Sequence, residues 1–323
     1  MPTAPNRGQV IASAWEDYVK QDPTDQIFPR FWLLENLKEG NSFRKGAGDP
    51  ITGTIEYAVN TTVKAMSELE QLDVVRVDVF DRYEYAWKFV GGDIVMSEFE
   101  KGQTAGAAGK FELEAGKVEN LKKSMFNQIN TDLFSDGTGF SGKQAGGLQL
   151  LVSNTPTTGT KGSINSASFS FWRNQQTSGA KTTTAFDNLK GAMRSIYNLC
   201  SNGPGQETPD FATSPRTEFE GYESLSVSLE RLIRTDMNQK LVSGYKGTQI
   251  AFKDIVLAFD AACPAQTMYI LNRRNLFIRW MVWMKAFPPV TPANQFADVV
   301  KILTIYNLCS DNLRRLGVVT AIT

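Results

Sequence analysis

The chain has 323 residues, with 34 Lys and Arg, 34 Asp and Glu and no His, so its formal net charge is zero. Apolar residues make up 41% and charged residues 21%, which argues against a disordered, collagenous or simple coiled-coil chain and for one large domain or two. Without imidazole there is no Ser-His-Asp triad, no Cys-His pair and no His-ligated zinc or iron. Zero net charge argues against a dedicated nucleic-acid binder, which needs a clustered basic excess. It also leaves copies of the chain without long-range mutual repulsion, which suits close assembly.

Three widely spaced cysteines, Cys200, Cys263 and Cys309, form no disulfide framework. Each has apolar neighbours and reads as a small core residue rather than a nucleophile. The N-terminus lacks an apolar stretch of signal-peptide length, and no run of about 18 uncharged apolar residues occurs. The expectation is a protein made in a reducing cytoplasm, with no membrane span.

Residues 1–45 read as an irregular arm, because Pro2, Pro5, Pro23 and Pro29 leave room only for short helical pieces such as 9–20. Residues 45–53, KGAGDPITG, read as a turn or joint. From Val75 to Phe89 apolar and polar residues alternate, with one break near Phe80-Asp81. That spacing predicts a strand, or two strands joined by a bulge, reaching on the order of 50 Å. Ile51 to Val59 alternates more loosely and serves as its antiparallel mate, with 60–72 as a long tip. Residues 46–90 are thus expected to form a projecting hairpin. A lone hairpin is marginally stable in water, so this one needs a partner surface such as another copy of the chain.

Gly91-Gly92 is expected to end the strand, and Asp93 to cap a short helix over 93–101. After a small-residue joint at 102–110, a long helix runs over 110–134. Its apolar stripe is Leu113, Val118, Leu121, Met125, Ile129 and Leu133, and Ser135-Asp136-Gly137 stops it. About 25 residues span roughly 37 Å, which makes this helix a spine. A glycine-rich link, 137–147, leads to LQLLVS. Residues 154–170 read as loop with short strand pieces. A helix over 183–200 carries the stripe Phe186, Leu189, Met193, Ile196 and Leu199, and a helix over 222–242 carries Leu225, Val227, Leu229, Leu232, Ile233 and Met237. Between them, 206–217 is loop or short strand. Residues 254–262 are a strand or short helix, and 268–271 a short buried strand. The basic aromatic run RRNLFIRWMVWMKAF precedes Pro288, Pro289 and Pro292. Two strands, 299–309 and 317–322, joined by SDNLRRL, close the chain. The class is α+β. The hexapeptide Ile196 to Ser201 recurs as Ile305 to Ser310, but the flanks differ, so this is coincidence rather than a repeat.

No pattern carries catalysis. The acidic pairs Glu68 and Glu70, Asp78 and Asp81, Glu98 and Glu100, and Glu112 and Glu114 match neither a calcium loop nor a glycosidase frame, and read as solvated faces or inter-chain salt bridges. Asp93 follows Gly91-Gly92, yet no phosphate-loop glycine motif is present. Arg273, Arg274, Arg279 and Lys285, with Trp280 and Trp283, fit a buried amphipathic segment with charged ends better than a single-strand nucleic-acid platform. Arg314-Arg315 reads as a turn forming salt bridges. Asn60-Thr61-Thr62 matches a glycosylation acceptor, which means little without a secretory signal. No cofactor and no metal are expected.

In order, these pieces are an arm, a long hairpin, a short helix, a glycine joint, a spine helix, an α/β region and a final strand pair with a basic turn. This order resembles the major capsid protein of tailed bacteriophages, the Hong Kong 97-type capsid fold. Three stretches carry the likeness: FELEAGKVENLKKSMFNQINTDLFSDG leading to KQAGGLQLLVS, then GYKGTQIAFKDIVLAFDAACPAQTMYILNRRNLFI, and finally IYNLCSDNLRRLGVVTAI. The resemblance implies an N-terminal arm over 1–45 and an extended loop over 46–90. It implies a peripheral domain from 91–137 and 287–323, and an axial domain over 138–286. The implied function is structural: self-assembly, as hexamers and pentamers, into an icosahedral shell around packaged double-stranded DNA. The DNA would meet the inner face non-specifically. The chain would be synthesised in the host bacterial cytoplasm and end in the virion capsid. Implied partners are a separate scaffolding protein, since no spare charged helical segment precedes the arm, with a portal and a cement protein. Contacts between subunits are expected at Arg44, Lys45, Asp49, Glu56, Lys64, Glu68, Glu70, Arg76, Asp78 and Arg82. Some relatives cross-link loop Lys and Asn residues, and Lys45 and Lys64 lie in or near the loop. The competing readings are an encapsulin-like shell, another virion part, and a carboxylate-dependent hydrolase.

Overall fold

The computed structural model describes residues 31–39, 42–68, 70–71, 74–103, 107–177, 186–201, 208–230, 245–246, 249–293 and 295–322. The proposed helix over 9–20, the arm up to residue 30 and the end of the 222–242 helix lie outside these residues.

The described chain opens with helix α1 (Trp32–Glu39), strand β1 (Phe43–Lys45) and the hairpin strands β2 (Ile51–Glu56) and β3 (Phe80–Tyr85). Next come β4 (Lys88–Ser97), a short helix α2 (Glu98–Gln103) and the spine helix α3 (Ala107–Leu133). The second half contains β5 (Thr160–Lys161), β6 (Ile164–Asn165), β7 (Gln175–Thr177), α4 (Phe186–Cys200), β8 (Phe211–Ser214) and α5 (Arg216–Glu230). It continues through β9 (Tyr245–Lys246), β10 (Gln249–Phe252), β11 (Ile255–Phe259) and β12 (Thr267–Leu271). The chain closes with β13 (Leu276–Ala286), β14 (Ala297–Ser310) and β15 (Gly317–Thr320).

The strands form two principal sheets. One has the order β1-β13-β14-β4, and the other β7-β15-β12-β8-β11-β10-β9. The period-2 alternation of the seven-stranded sheet makes it a wall between two cores. On β12, Tyr269 and Leu271 join the core shared with the spine helix, while Met268 and Ile270 face the core under α4 and α5. Phe211 and Ala212 on β8, and Val318 and Val319 on β15, divide the same way. A strand buried on both faces reads as continuously apolar, which is why 268–271 is legible as a buried strand.

Several expectations change. Residues 32–45 are not irregular: Leu33, Leu34 and Leu37 are buried on α1, and β1 pairs in parallel with β13. The prolines that break helices all precede this stretch. The strand expected over 75–89 is two shorter ones. β3 begins only at Phe80, where β2 supplies its hydrogen-bonding mate, and Val74 and Val75 stand 100% and 66% exposed with no strand opposite among the described residues. At Ala86-Trp87 the chain leaves the hairpin for the four-stranded sheet. There the Asn307 amide donates to the Ala86 carbonyl (2.7 Å) and the Trp87 indole to Gly48 O (2.6 Å). Alternation reports faces, not partners, and a strand needs both.

Gly91-Gly92 does not end a strand. β4 runs through both glycines against β14, with Gly92 opposite Ile302. A Cβ on Gly92 would sit 2.6 Å from Leu121 Cδ1, so the missing side chain lets the spine helix close on the sheet. Asp93 is therefore a strand residue facing Lys301 across the ladder, and the cap is Ser97, whose hydroxyl accepts from Glu100 N (3.2 Å). Ser97-Glu98-Phe99-Glu100 has the capping-box spacing, and Glu100 also holds Lys117 of α3 at 2.8 Å. On α4, Leu189, Met193 and Ile196 are fully buried, but Leu199 is 52% exposed and Cys200 takes its place inside. α5 starts at Arg216, six residues before the expected start, and its expected stripe lies among side chains outside those described. The closing strands do not pair: β14 lies between β13 and β4, and β15 between β12 and β7.

Two carboxylates on the sheets and the spine carry the buried polar ties. Asp260 accepts from the Asn130 amide of α3 (2.8 Å), Leu33 N of α1 (3.2 Å) and Ala262 N (3.0 Å). Asp132 accepts from Gln128 (2.7 Å), Gln144 (2.8 Å) and the Tyr306 hydroxyl of β14 (2.9 Å). Burial raises both carboxyls above the ordinary Asp value, against the lowering effect of these donors. A raised carboxyl contributes stability that is full below the unfolded value and is lost as pH rises through the folded one. The thermal midpoint is therefore expected to rise as pH falls toward the ordinary carboxyl range, and Asp260→Asn to flatten that rise. Asp260→Ala, which strands three donors, is expected to cost about 3 kcal/mol in urea unfolding at pH 7; an unchanged midpoint would refute this role.

Candidate assembly interface

The hairpin is rooted in the core and bare at its tip. β2 and β3 pair from Ile51–Tyr85 to Glu56–Phe80, and one further backbone bond joins Tyr57 N to Val79 O (3.0 Å). At the root, Ile51, Tyr83 and Tyr85 are buried. The Tyr85 hydroxyl donates to Ser310 O (3.2 Å), Tyr83 stacks on Trp172 at 6.0 Å, and Tyr57 stacks on Phe171 at 5.1 Å. Tyr83 lies over Gly53, where a Cβ would meet its hydroxyl at 2.2 Å.

Beyond Tyr57 and Val79 this support stops. Val59, Val63, Met66, Val74, Val75 and Phe80 are all exposed. Large apolar side chains gathered on a projecting segment mark an interaction surface rather than scattered surface residues. A second exposed apolar set lies at the far end of the four-stranded sheet. Phe99, Val290 and Phe296 are exposed there, and Glu98 N donates to Phe296 O (3.1 Å).

The charges expected at contacts divide by location. Arg44 and Lys45 lie on β1, Asp49 in the turn before β2 (joined to Pro50 by a cis peptide bond), and Glu56 at the exposed end of β2. In the tip, Lys64 pairs with Glu70 at 3.0 Å and Arg76 with Asp78 at 3.2 Å. Arg82 pairs with Glu84 on β3, and Glu68 is exposed. The structure thus joins Lys64 with Glu70 and Arg76 with Asp78 inside one chain. Asn60 of the acceptor-like tripeptide accepts from Thr62 N (3.0 Å), an ordinary Asx turn. Sequence reasoning missed Arg279 as a partner of Arg44; their pairing across β1 and β13 has no local signal.

The remaining groups are structural. Cys200, Cys263 and Cys309 are buried and free, and burial pushes all three thiols up, Cys200 to about 12. The basic aromatic run is strand β13, whose Trp283 packs against Phe43 and Phe126. Arg315 is buried in the turn before β15. Among the described residues, no cluster of three or more Cys, Asp or Glu has a metal-binding arrangement, and no helix is long and apolar enough to cross a membrane. With its side chains bare, the tip is expected to be cut first by trypsin. Lys64 and Arg76 should be cleaved before Arg82 and Lys88, as read by mass spectrometry; early cleavage at Arg82 would place the flexible boundary elsewhere.

No family model matches the chain, and no curated protein matches its sequence. Its structure is similar to solved shells. One is the capsid asymmetric unit of cyanophage A-1(L), with TM-score 0.68 and 14% identity over 93% of this chain and 95% of that one. Another is the capsid of the Myoviridae phage XM1, with TM-score 0.58 and 11% identity over 95% and 98%. A third is the encapsulin complex of Synechococcus elongatus PCC 7942, with TM-score 0.57 and 9% identity over 99% and 96%. The chain has the α+β Hong Kong 97-type capsid fold along nearly its whole length.

Proposed function

We propose that this chain is the major capsid protein of a tailed phage, a structural subunit without enzymatic activity that assembles as hexamers and pentamers into an icosahedral shell around double-stranded DNA. The observation that carries the reading is a core-rooted hairpin with a bare apolar tip, on a chain whose fold is similar to a cyanophage capsid subunit over 93% of its length. Covering each exposed Val or Phe contributes about 1.5–3 kcal/mol, a gain that a monomer cannot collect and a neighbour can. Neutrality lets the copies approach, and local ion pairs then act within about 8 Å at physiological salt.

In this reading the hairpin is the extended loop lying across a neighbouring subunit. The spine helix, β4 and β14 belong to the peripheral unit over 91–137 and 287–323, and α4, α5 and β8 to β12 to the axial unit over 138–286; two strands cross these bounds, β13 pairing with β14 and β15 with β12. The exposed charges from Arg44 to Arg82 face other subunits. Scaffolding, portal and cement proteins act as partners, and DNA meets the inner face non-specifically. The chain is made in the host bacterial cytoplasm and ends in the virion. The likeness to an encapsulin favours a second reading, a nanocompartment shell enclosing protein rather than DNA.

Electron microscopy of the expressed chain, alone and with its neighbouring genes, tests the reading. Closed shells or capsomers are expected, and a stable monomer under every condition would sink it. Nuclease-protected DNA inside the shells separates a phage capsid from a protein-filled compartment. Replacing 58–78 by a short Gly-Ser joint, which keeps Tyr83 and Tyr85 in the core, should leave a folded chain that forms no shells; unchanged assembly would refute the bridging role of the tip.

A further inference from the structure

The four-stranded sheet holds a like-charge pair that forms no salt bridge with a carboxylate among the described residues. Arg44 of β1 and Arg279 of β13 are direct cross-strand partners, so their side chains leave the same face. Phe277, two residues before Arg279 on that face, is 1% exposed and lies beneath both guanidiniums. Its ring centroid is 4.4 Å from Arg44 Cζ and 5.7 Å from Arg279 Cζ. Arg44 donates once, to the Arg274 carbonyl at 3.3 Å, and Arg279 Nε is buried with no acceptor. Asp311, which feels Arg44, is taken up by the Asn275 amide at 2.9 Å.

Like charges directly opposite on neighbouring strands are destabilising, and a buried donor without an acceptor is costly. An oxyanion between the two arginine forks would satisfy both at once. The hairpin holds the complementary excess. Glu70, Asp78 and Glu84 are each paired within the chain, whereas Glu56, at the end of the paired strand β2, and Glu68, out on the projecting tip, are exposed with no ion pair among the described residues; of these two only Glu68 lies on the segment that leaves the body.

We propose that Arg44 and Arg279 form the receptor for a carboxylate carried by the hairpin of a second copy of this chain, and that Glu68 is that carboxylate. This rests on the shell reading above. It adds to that reading a defined lock: the apolar tip gives adhesion and the arginine pair gives register, because a bidentate contact tolerates little misplacement.

The test compares shell yield by sedimentation and electron microscopy for wild type, Arg44→Gln/Arg279→Gln, Glu68→Arg, and the charge swap Arg44→Glu/Arg279→Glu/Glu68→Arg. The Gln pair and Glu68→Arg are expected to melt within about 3 °C of wild type yet give at least about tenfold fewer shells, and the swap to recover them. If the arginine variants do not fold, Glu68→Gln alone decides, since Glu68 is exposed, and wild-type yield from it overturns the proposal. Wild-type yield from the Gln pair overturns it, as does a folded swap variant that stays unassembled. Gln-pair shells of normal yield that retain less DNA would assign the pair to phosphate and overturn it too. A wild type that never closes shells removes the shell reading itself, whereas shells from wild type and Gln pair alike remove this proposal alone.

Discussion

The C-terminal turns of the spine helix carry the polar ties on which the arrangement of both sheets depends. Asn130 reaches Asp260 beside the seven-stranded sheet, and two residues on, Asp132 receives the Tyr306 hydroxyl from the four-stranded sheet. Asp260 also receives Leu33 N, so α1 is tied at the same point. Apolar burial around these groups supplies most of the driving force but is non-directional. Buried hydrogen bonds are directional, and breaking one leaves a desolvated group, so they set which packing is adopted. Met125, Ile129 and Leu133 fill the space around them, and none has a polar atom to specify register.

That fixed frame explains why the hairpin can project. Its root is held by Tyr83 and Tyr85 against the body, and its tip has no such support. A two-stranded ribbon gains little from its own backbone ladder, so exposed valines are tolerated only if another surface covers them. The same sheet that anchors the root presents Arg44 and Arg279 side by side. The hairpin root and the arginine pair are thus held by the same sheet, the root at Ser310 of β14 and the pair on β1 and β13.

The hexapeptide Ile-Tyr-Asn-Leu-Cys-Ser shows where local reading stops. At 196–201 its first five residues end helix α4, and at 305–310 all six lie in strand β14. In the helix, Ile196, Tyr197 and Cys200 are buried and Leu199 is exposed; in the strand, Tyr306, Leu308 and Cys309 are buried. Flanking residues and available partners chose between the two, because intrinsic preferences of this size are overridden by packing. The same cause split the alternating run 75–89, where β2 reaches only to Phe80, and carried β4 through Gly91-Gly92, where β14 continued alongside.

Composition and pattern by themselves determined that the chain folds, that it lacks imidazole chemistry, that a long amphipathic helix follows a hairpin, and that its cysteines belong inside. These are properties of neighbouring residues, written in periods of 2 and 3.6. The paired charges of the tip, Lys64 with Glu70 and Arg76 with Asp78, were legible as charges on a hairpin though not as partners. Only the tertiary structure decided which strands share a sheet, that β14 and β15 part company, that Asp132 and Asp260 bind the spine helix to both sheets, and that Arg44 faces Arg279. Those outcomes depend on contacts between segments remote in the chain. No local period encodes them, because what selects them is the burial and hydrogen bonding of the whole fold.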